Sequence, residues 1–260
     1  MSEIPKAQEQ LFDGRRTARQ RYAGLVVGRP GLPALLRHEL IVLAAQAVPG
    51  ALGLAMRRWL YPKLLGACGP NVVFGQNVVL RHPHKIRIGS DVVVDDNCLL
   101  DAKGEHNEGI TIGSRVFVGR NTILSCKNGD IRVEDGANIG FNCEVFSASR
   151  VVIGADTLVA AYCYVIGGDH DFADSAVPVA AQRRTSLGVT IGPACWIGAG
   201  VKVLDGVSIG ANAVIGAGSV VKTDVPAYGV AAAKPARVVG SRLDVGPAGE
   251  TPGSPAAEEG

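Results

Sequence analysis

The sequence predicts an all-β fold, a parallel β-helix of about seven three-sided coils behind a short α-helical N-terminal region. Three observations carry this. An aliphatic residue returns every six positions from residue 68 to residue 221, with breaks only after every third return. The position two places before it, from Val72 to Ser219, is always Val, Ile, Thr, Ala, Ser or Cys, as a narrow interior requires. Glycine is abundant, 34 of 260 residues, while aromatic residues make up only 5%, so small and β-branched side chains build the core.

Residues 1–65 stand apart. They open polar, with Arg15, Arg16, Arg19 and Arg21 close together, and then run from Leu40 to Met56 without a charge. A spanning helix wants about 20 apolar residues, and Pro49, Gly50 and Gly53 break this run, so two short helices packed on the rest of the chain are expected. Arg57, Arg58, Trp59 and Tyr61 follow, and basic and aromatic flanks of this kind predict peripheral membrane contact through residues 40–61. The polar opening lacks the pattern of a signal peptide, which predicts a cytoplasmic protein, associated with the inner face of a membrane.

The repeat fills residues 66–224. Its returns fall as Cys68, Phe74, Leu80; Ile88, Val94, Leu100; Ile112, Val118, Leu124; Val133, Ile139, Val145; Ile153, Val159, Val165; Ile191, Ile197, Val203; and Ile209, Ile215, Val221. Every triplet is therefore one coil. The residue after the return is glycine in 11 of 21 hexads and never in the third of a triplet, which predicts two tight corners with positive φ and a third from which all insertions leave. Seven coils at about 4.8 Å give a prism roughly 35 Å long. Its ends need covers, which the N-terminal helices and a closing segment at 225–243 supply. Residues 244–260, rich in Pro, Gly, Ala and Glu, are expected to be a disordered tail.

Several function classes fall away. A net charge of +2 with no nucleic-acid motif argues against nucleic acid as a partner. The six cysteines show no CxxC pair or zinc spacing, and four of them (Cys98, Cys143, Cys163, Cys195) occupy the small interior slot, so they read as reduced core filler with no metal. The longest insertion, between Val165 and Ile191, carries His170 between Asp169 and Asp171. A histidine on a long arm from a rigid scaffold is a candidate general base, because an imidazole with a pKa near about 6.5 can take a proton near neutral pH.

The repeats Thr190-Ile191-Gly192, Trp196-Ile197-Gly198, Ser208-Ile209-Gly210 and Val214-Ile215-Gly216, with the Ala217-Gly218-Ser219-Val220-Val221 coil and the Pro235-Ala236-Arg237 turn, resemble the hexapeptide-repeat acyltransferases, most of all the galactoside, maltose and capsule or exopolysaccharide O-acetyltransferases. The resemblance implies a left-handed coil, a homotrimer with the active site between neighbouring prisms, and acetyl-CoA as co-substrate. It implies catalysis by His170 and acceptor binding by Asn142, whose structural reading is an asparagine ladder at a corner. It further implies CoA contacts through Trp196, the Ala199 amide, Ala217, Lys222, Thr223 and Arg237. The order Lys222-Thr223, the pair Ala233-Lys234 and Gly240 depart from the family pattern and put individual phosphate contacts in question. The expected function is transfer of an acetyl group to a hydroxyl of a sugar or polysaccharide precursor. The alternatives are N-acylation of an amino sugar, a non-enzymatic β-solenoid scaffold, and a metal-dependent hydratase, for which the histidines sit on the wrong coils. The basic stretch Arg81 to Lys85 with Arg87 could meet an anionic acceptor, or could simply be solvated.

Overall fold

The computed structural model describes residues 17–244. The expected disorder of residues 244–260 therefore lies outside the described residues except for Asp244, and so do Arg15 and Arg16.

The chain winds as a left-handed parallel β-helix of three flat faces, two with seven strands and one with nine. On the first face Cys68 pairs with Ile88 and the ladder continues through Ile112, Val133, Ile153 and Ile191 to Ile209. On the second, Phe74 leads through Val94, Val118, Ile139, Val159 and Ile197 to Ile215. On the third, Leu80 leads through Leu100, Leu124, Val145, Val165 and Val203 to Val221. Each ladder joins like positions of the hexad, because a slip of one residue would turn the buried row out to water. The small slot is buried throughout, including Cys98, Cys143, Cys163 and Cys195. All six cysteines are free thiols. Burial pushes the Cys98 thiol up to about 11, so it stays protonated as filler.

The corners differ from the sequence reading. None of the eleven glycines after the aliphatic return has a positive φ. The left-handed residue stands two places after each of them, at Asn71, Asn77, Asp91, Asn121, Asn142, Asp156 and Asn212 in seven cases, at Gly200 and Gly218 in two, and at Arg115 and Ala194 in the other two. Asn and Asp tolerate that conformation, which the glycine argument overlooked. The eleven glycines answer to packing instead: a Cβ at Gly89 would stand 2.7 Å from the Gly113 carbonyl carbon, and one at Gly119 would stand 2.7 Å from that of Gly140. Coil stacks on coil at the corner with no room for a side chain.

Three helices cover the first coil: α1 (Ala18–Tyr22), α2 (Leu32–Ala45) and α3 (Gly50–Leu60). The break between α2 and α3 falls at residues 46–49, where Pro49 caps α3 and Gly50 takes φ 65°. Within α3 only glycine fits at position 53, since a Cβ there would collide with the Val48 carbonyl. This linker meets the open edge of the second face: Asn77 N donates to Gln46 O and Gln76 Nε2 to Ala47 O. Arg57 lies beneath it, 1% exposed, donating to the carbonyls of Phe74 (2.9 Å), Ala45 (2.8 Å) and Val48 (2.7 Å). Tyr61 is also buried, edge-on to Phe74, with its hydroxyl donating to Val78 O. Arg57 and Tyr61 therefore do not flank a membrane surface as the sequence suggested. They fasten the cap.

At the other end the closing segment extends the prism. Val225 bridges Ile209, Gly229–Ala232 adds a parallel strand beside Val214–Ile215, and Arg237–Ser241 turns back antiparallel against it. The result is a partial eighth coil, which the hexad count stopped short of because its returns are Val225 and Ala231 and its third strand is missing.

Candidate active site

The insertions leave at the corner between the third and first faces, as expected. The longest folds into an arm. Asp169–His170 pairs antiparallel with Arg184–Thr185, so His170 stands directly across from Arg184. Ser186 Oγ bonds Ser149 Oγ (2.7 Å) and Gly167 O (3.0 Å) at the arm's root, and Asp205 accepts from the amides of Leu187 and Gly188 on the return. At the tip Gln182 Nε2 donates to the carbonyls of Asp174 and Val177, both at 2.7 Å. Asp174 and Gln182 thus brace the arm.

His170 itself is exposed. Asp169 Oδ1 accepts from the His170 backbone amide at 2.8 Å rather than from its ring. The imidazole is bonded to no other described side chain, and its two nitrogens are available to a substrate. Nearby the arm shows apolar side chains to solvent, with Phe172 75% and Leu187 81% exposed. Among the described residues these side chains remain largely uncovered.

Asn142 lies in the turn between the second and third faces, not in a strand. It takes φ 55°, and its Oδ1 accepts from Asn121 Nδ2 at 3.0 Å. It belongs to the ladder of that corner, which also joins Asn77 to Asn97. Its geometry is accounted for by the corner, and a different edge of the prism carries His170.

The cofactor candidates fall into two groups. Trp196 stands on the outer surface of the second face between Leu158 and Val214, 54% exposed. Ala199 and Ala217 occupy successive coils at the corner that follows, with Gly218 N donating to Ala199 O at 2.7 Å. Neither alanine amide meets a protein acceptor among the described residues. Arg237 lies exposed on the closing strand of the same face. Lys222 and Thr223, also exposed, follow the last strand of the third face, at the corner from which the His170 arm leaves. Within one chain the third face separates the Ala199 corner from the arm, a span of about 15–20 Å for a six-residue side. The candidate residues of a single protomer therefore form two groups, candidate half-sites, on different edges.

Sequence reasoning missed one feature of this corner. Phe141 and Tyr162 pack edge to face at 6.0 Å, with the Arg120 guanidinium 4.9 Å from the Phe141 ring. Tyr162 holds φ 62° while 63% exposed, a conformation that costs a bulky residue free energy where other coils place Asn or Gly. The signal was an aromatic residue in a corner slot.

Residues 188–223 match the bacterial transferase hexapeptide family of six repeats. The chain is 33% identical over 133 residues to a probable acetyltransferase of Mycobacterium tuberculosis, covering 51% of this chain and 44% of that protein. It is 33% identical over 132 residues to the galactoside O-acetyltransferase of Escherichia coli K12, covering 49% and 54%. The chain thus spans about half the length of these curated relatives. Among solved structures it is similar to AntD, an N-acyltransferase from Bacillus cereus in complex with dTDP and coenzyme A, with TM-score 0.51 and 22% identity over 75% of this chain and 91% of that one. This last likeness is one of fold.

Proposed function

As a hexapeptide-repeat β-helix similar to sugar acetyltransferases, this chain is, we propose, a CoA-dependent O-acetyltransferase whose acceptor is a sugar hydroxyl and whose general base is His170. The observation that carries the reading is the unpartnered His170 imidazole on a braced arm. The ring takes the hydroxyl proton as the oxygen attacks the thioester carbonyl. The Ala199 amide, which has no acceptor among the described residues, donates to the oxyanion that forms. Collapse expels the CoA sulfur, which takes the proton back from the imidazolium, leaving the acetyl ester, free thiol and neutral histidine. A direct ternary complex suffices: five of the six cysteines are buried, and the half-buried Cys68 lies in the first coil rather than in the Trp196 coil.

The two half-sites complete each other if the arm of one protomer reaches the Trp196 and Ala199 edge of a neighbour in a homotrimer. The exposed Phe172 and Leu187 support that arrangement. Free-thiol release from acetyl-CoA, measured across hydroxyl sugars and their amino counterparts, tests the reaction. Turnover with hydroxyl sugars is expected; turnover confined to amino sugars would make the protein an N-acyltransferase instead.

The same reading sets the reaction at the cytoplasmic face of a membrane. No described helix is long and apolar enough to cross one. Yet Leu32, Leu36, Leu40 and Leu43 form an exposed row along α2, with Leu52 and Trp59 of α3 exposed as well, and Arg58 and Lys63 nearby. Leucines on one side with basic residues at the rim suit an anionic bilayer surface. Sedimentation with phosphatidylglycerol vesicles is expected to carry the protein down, and Leu36→Glu with Leu43→Glu to reduce this at least tenfold. Equal sedimentation of the variant would remove the membrane contact.

A further inference from the structure

A cavity of about 1130 Å³ lies between residues 19–35 and the third-corner loops of the first three coils. Arg19, Arg29, Lys85, Lys103, Lys127 and Arg184 line it, against the carboxylates of Asp101 and Glu105. Asp101 is turned partly away from that role, since its Oδ2 lies 3.7 Å from Arg81 Nη1, outside the lining. Lys85 is fixed in place: Nζ donates to Gly104 O at 2.7 Å and Asn107 Oδ1 at 2.9 Å. The wall is fixed too. His82, 6% exposed, is stapled to the N-terminal segment through Nε2 and Gly24 O at 2.8 Å, and burial holds its pKa down at about 4, so it stays neutral. The basic stretch noted in the sequence is thus divided: Arg81 and Arg87 are exposed, while His82 and Lys85 line the cavity.

Basic side chains gathered from five separate stretches of chain repel one another in such a space, and a multiply charged anion relieves the repulsion. Guanidinium and ammonium donors together are the usual partners of phosphate oxygens. The cavity also joins the catalytic arm. Arg184 lines it, its Nε is buried without a protein partner, and it stands directly opposite His170 in the arm's two-stranded ribbon. A phosphate group seated here would therefore tether a molecule beside the base.

We propose that this cavity binds the phosphate or diphosphate ester of the acceptor, so that the sugar acylated at His170 is a phosphorylated, carrier-linked one. This rests on His170 being the base, and the test separates the two readings. Inorganic pyrophosphate is titrated calorimetrically into the full-length protein, alone and with saturating CoA. Saturable binding that persists with CoA present is expected, and Arg29→Gln with Lys127→Gln, both at exposed positions, should weaken it at least tenfold without altering acetyl-CoA affinity. With acceptors, the same variant should raise KM for a phosphorylated sugar at least tenfold while leaving kcat and the KM of the unphosphorylated sugar unchanged. A soluble nucleotide diphosphate sugar compared with a sugar diphosphate lipid in vesicles identifies the carrier by the lower KM. Absence of pyrophosphate binding alongside normal acetyl-CoA binding overturns the cavity assignment and leaves acyl transfer standing. Displacement of pyrophosphate by CoA also overturns it, because the cavity would then hold the cofactor's own diphosphate. Pyrophosphate binding without any acetyl-CoA binding keeps the anion site but removes the acyltransferase.

Discussion

His170→Ala is expected to lower kcat by at least about 100-fold, the lower end of what a positioned general base contributes, while acetyl-CoA affinity and thermal stability stay within error. The structural reason is local. The imidazole is exposed and bonded to no other described side chain, and the arm is held by Ser186, Gln182 and Asp205 rather than by the ring. Removing the ring therefore takes away a proton acceptor and nothing that the fold leans on. His170→Gln, which keeps a hydrogen-bonding tip without a base, should be as inactive. Steady-state thiol release with calorimetric CoA binding on the same samples checks both, and near-normal turnover in either variant would end the role of His170.

Arg57→Met is expected to destabilise the protein by about 3–5 kcal/mol, the range for breaking a buried, fully bonded charge. Three carbonyls lose their donor at once, those of Ala45, Val48 and Phe74, and each buried acceptor left unmet costs about 1–3 kcal/mol. In a domain of this size that corresponds to a fall in Tm of roughly 6–20 °C. Arg57→Lys keeps the charge but cannot reach three acceptors through a planar fork, so it should recover only part. A Tm within about 2 °C of the parent for the methionine variant would show that the linker at 46–49 holds the cap without Arg57.

The repeat made the prism readable residue by residue. A hexad has one interior return and one small slot, and the stacking ladders leave no alternative register once Cys68 and Val221 are fixed as ends. What failed was conformational detail, since composition at a corner does not distinguish a glycine needed for a positive φ from one needed for contact with the next coil. Gly89 and Gly119 are of the second kind, and Asn121 and Asn142 do the left-handed work. Arg57 was misread because a charge beside an apolar run looks the same whether it faces lipid headgroups or three carbonyls.

The site was legible in part. An interruption of the repeat located the arm and its histidine, but nothing in the hexads shows that Arg184 stands across from it. The basic cavity was out of reach for the same reason: residues 19, 29, 103, 127 and 184 come together only after the coils stack and the N-terminal segment folds over them. For Asn142 the family resemblance implied an acceptor contact and its corner position a ladder, and its bond to Asn121 supplies the ladder.

Titration of acetyl-CoA into the full-length protein, followed by calorimetry and by Tm, tests the acyltransferase reading most directly. A ligand selective for the folded state adds about 2.7 kcal/mol at one hundred times its Kd. The reading predicts saturable binding and a Tm rise of roughly 5–10 °C at that excess, retained in His170→Ala and weakened by Trp196→Ala. No heat and an unchanged Tm at millimolar acetyl-CoA would contradict it and leave the prism as a scaffold.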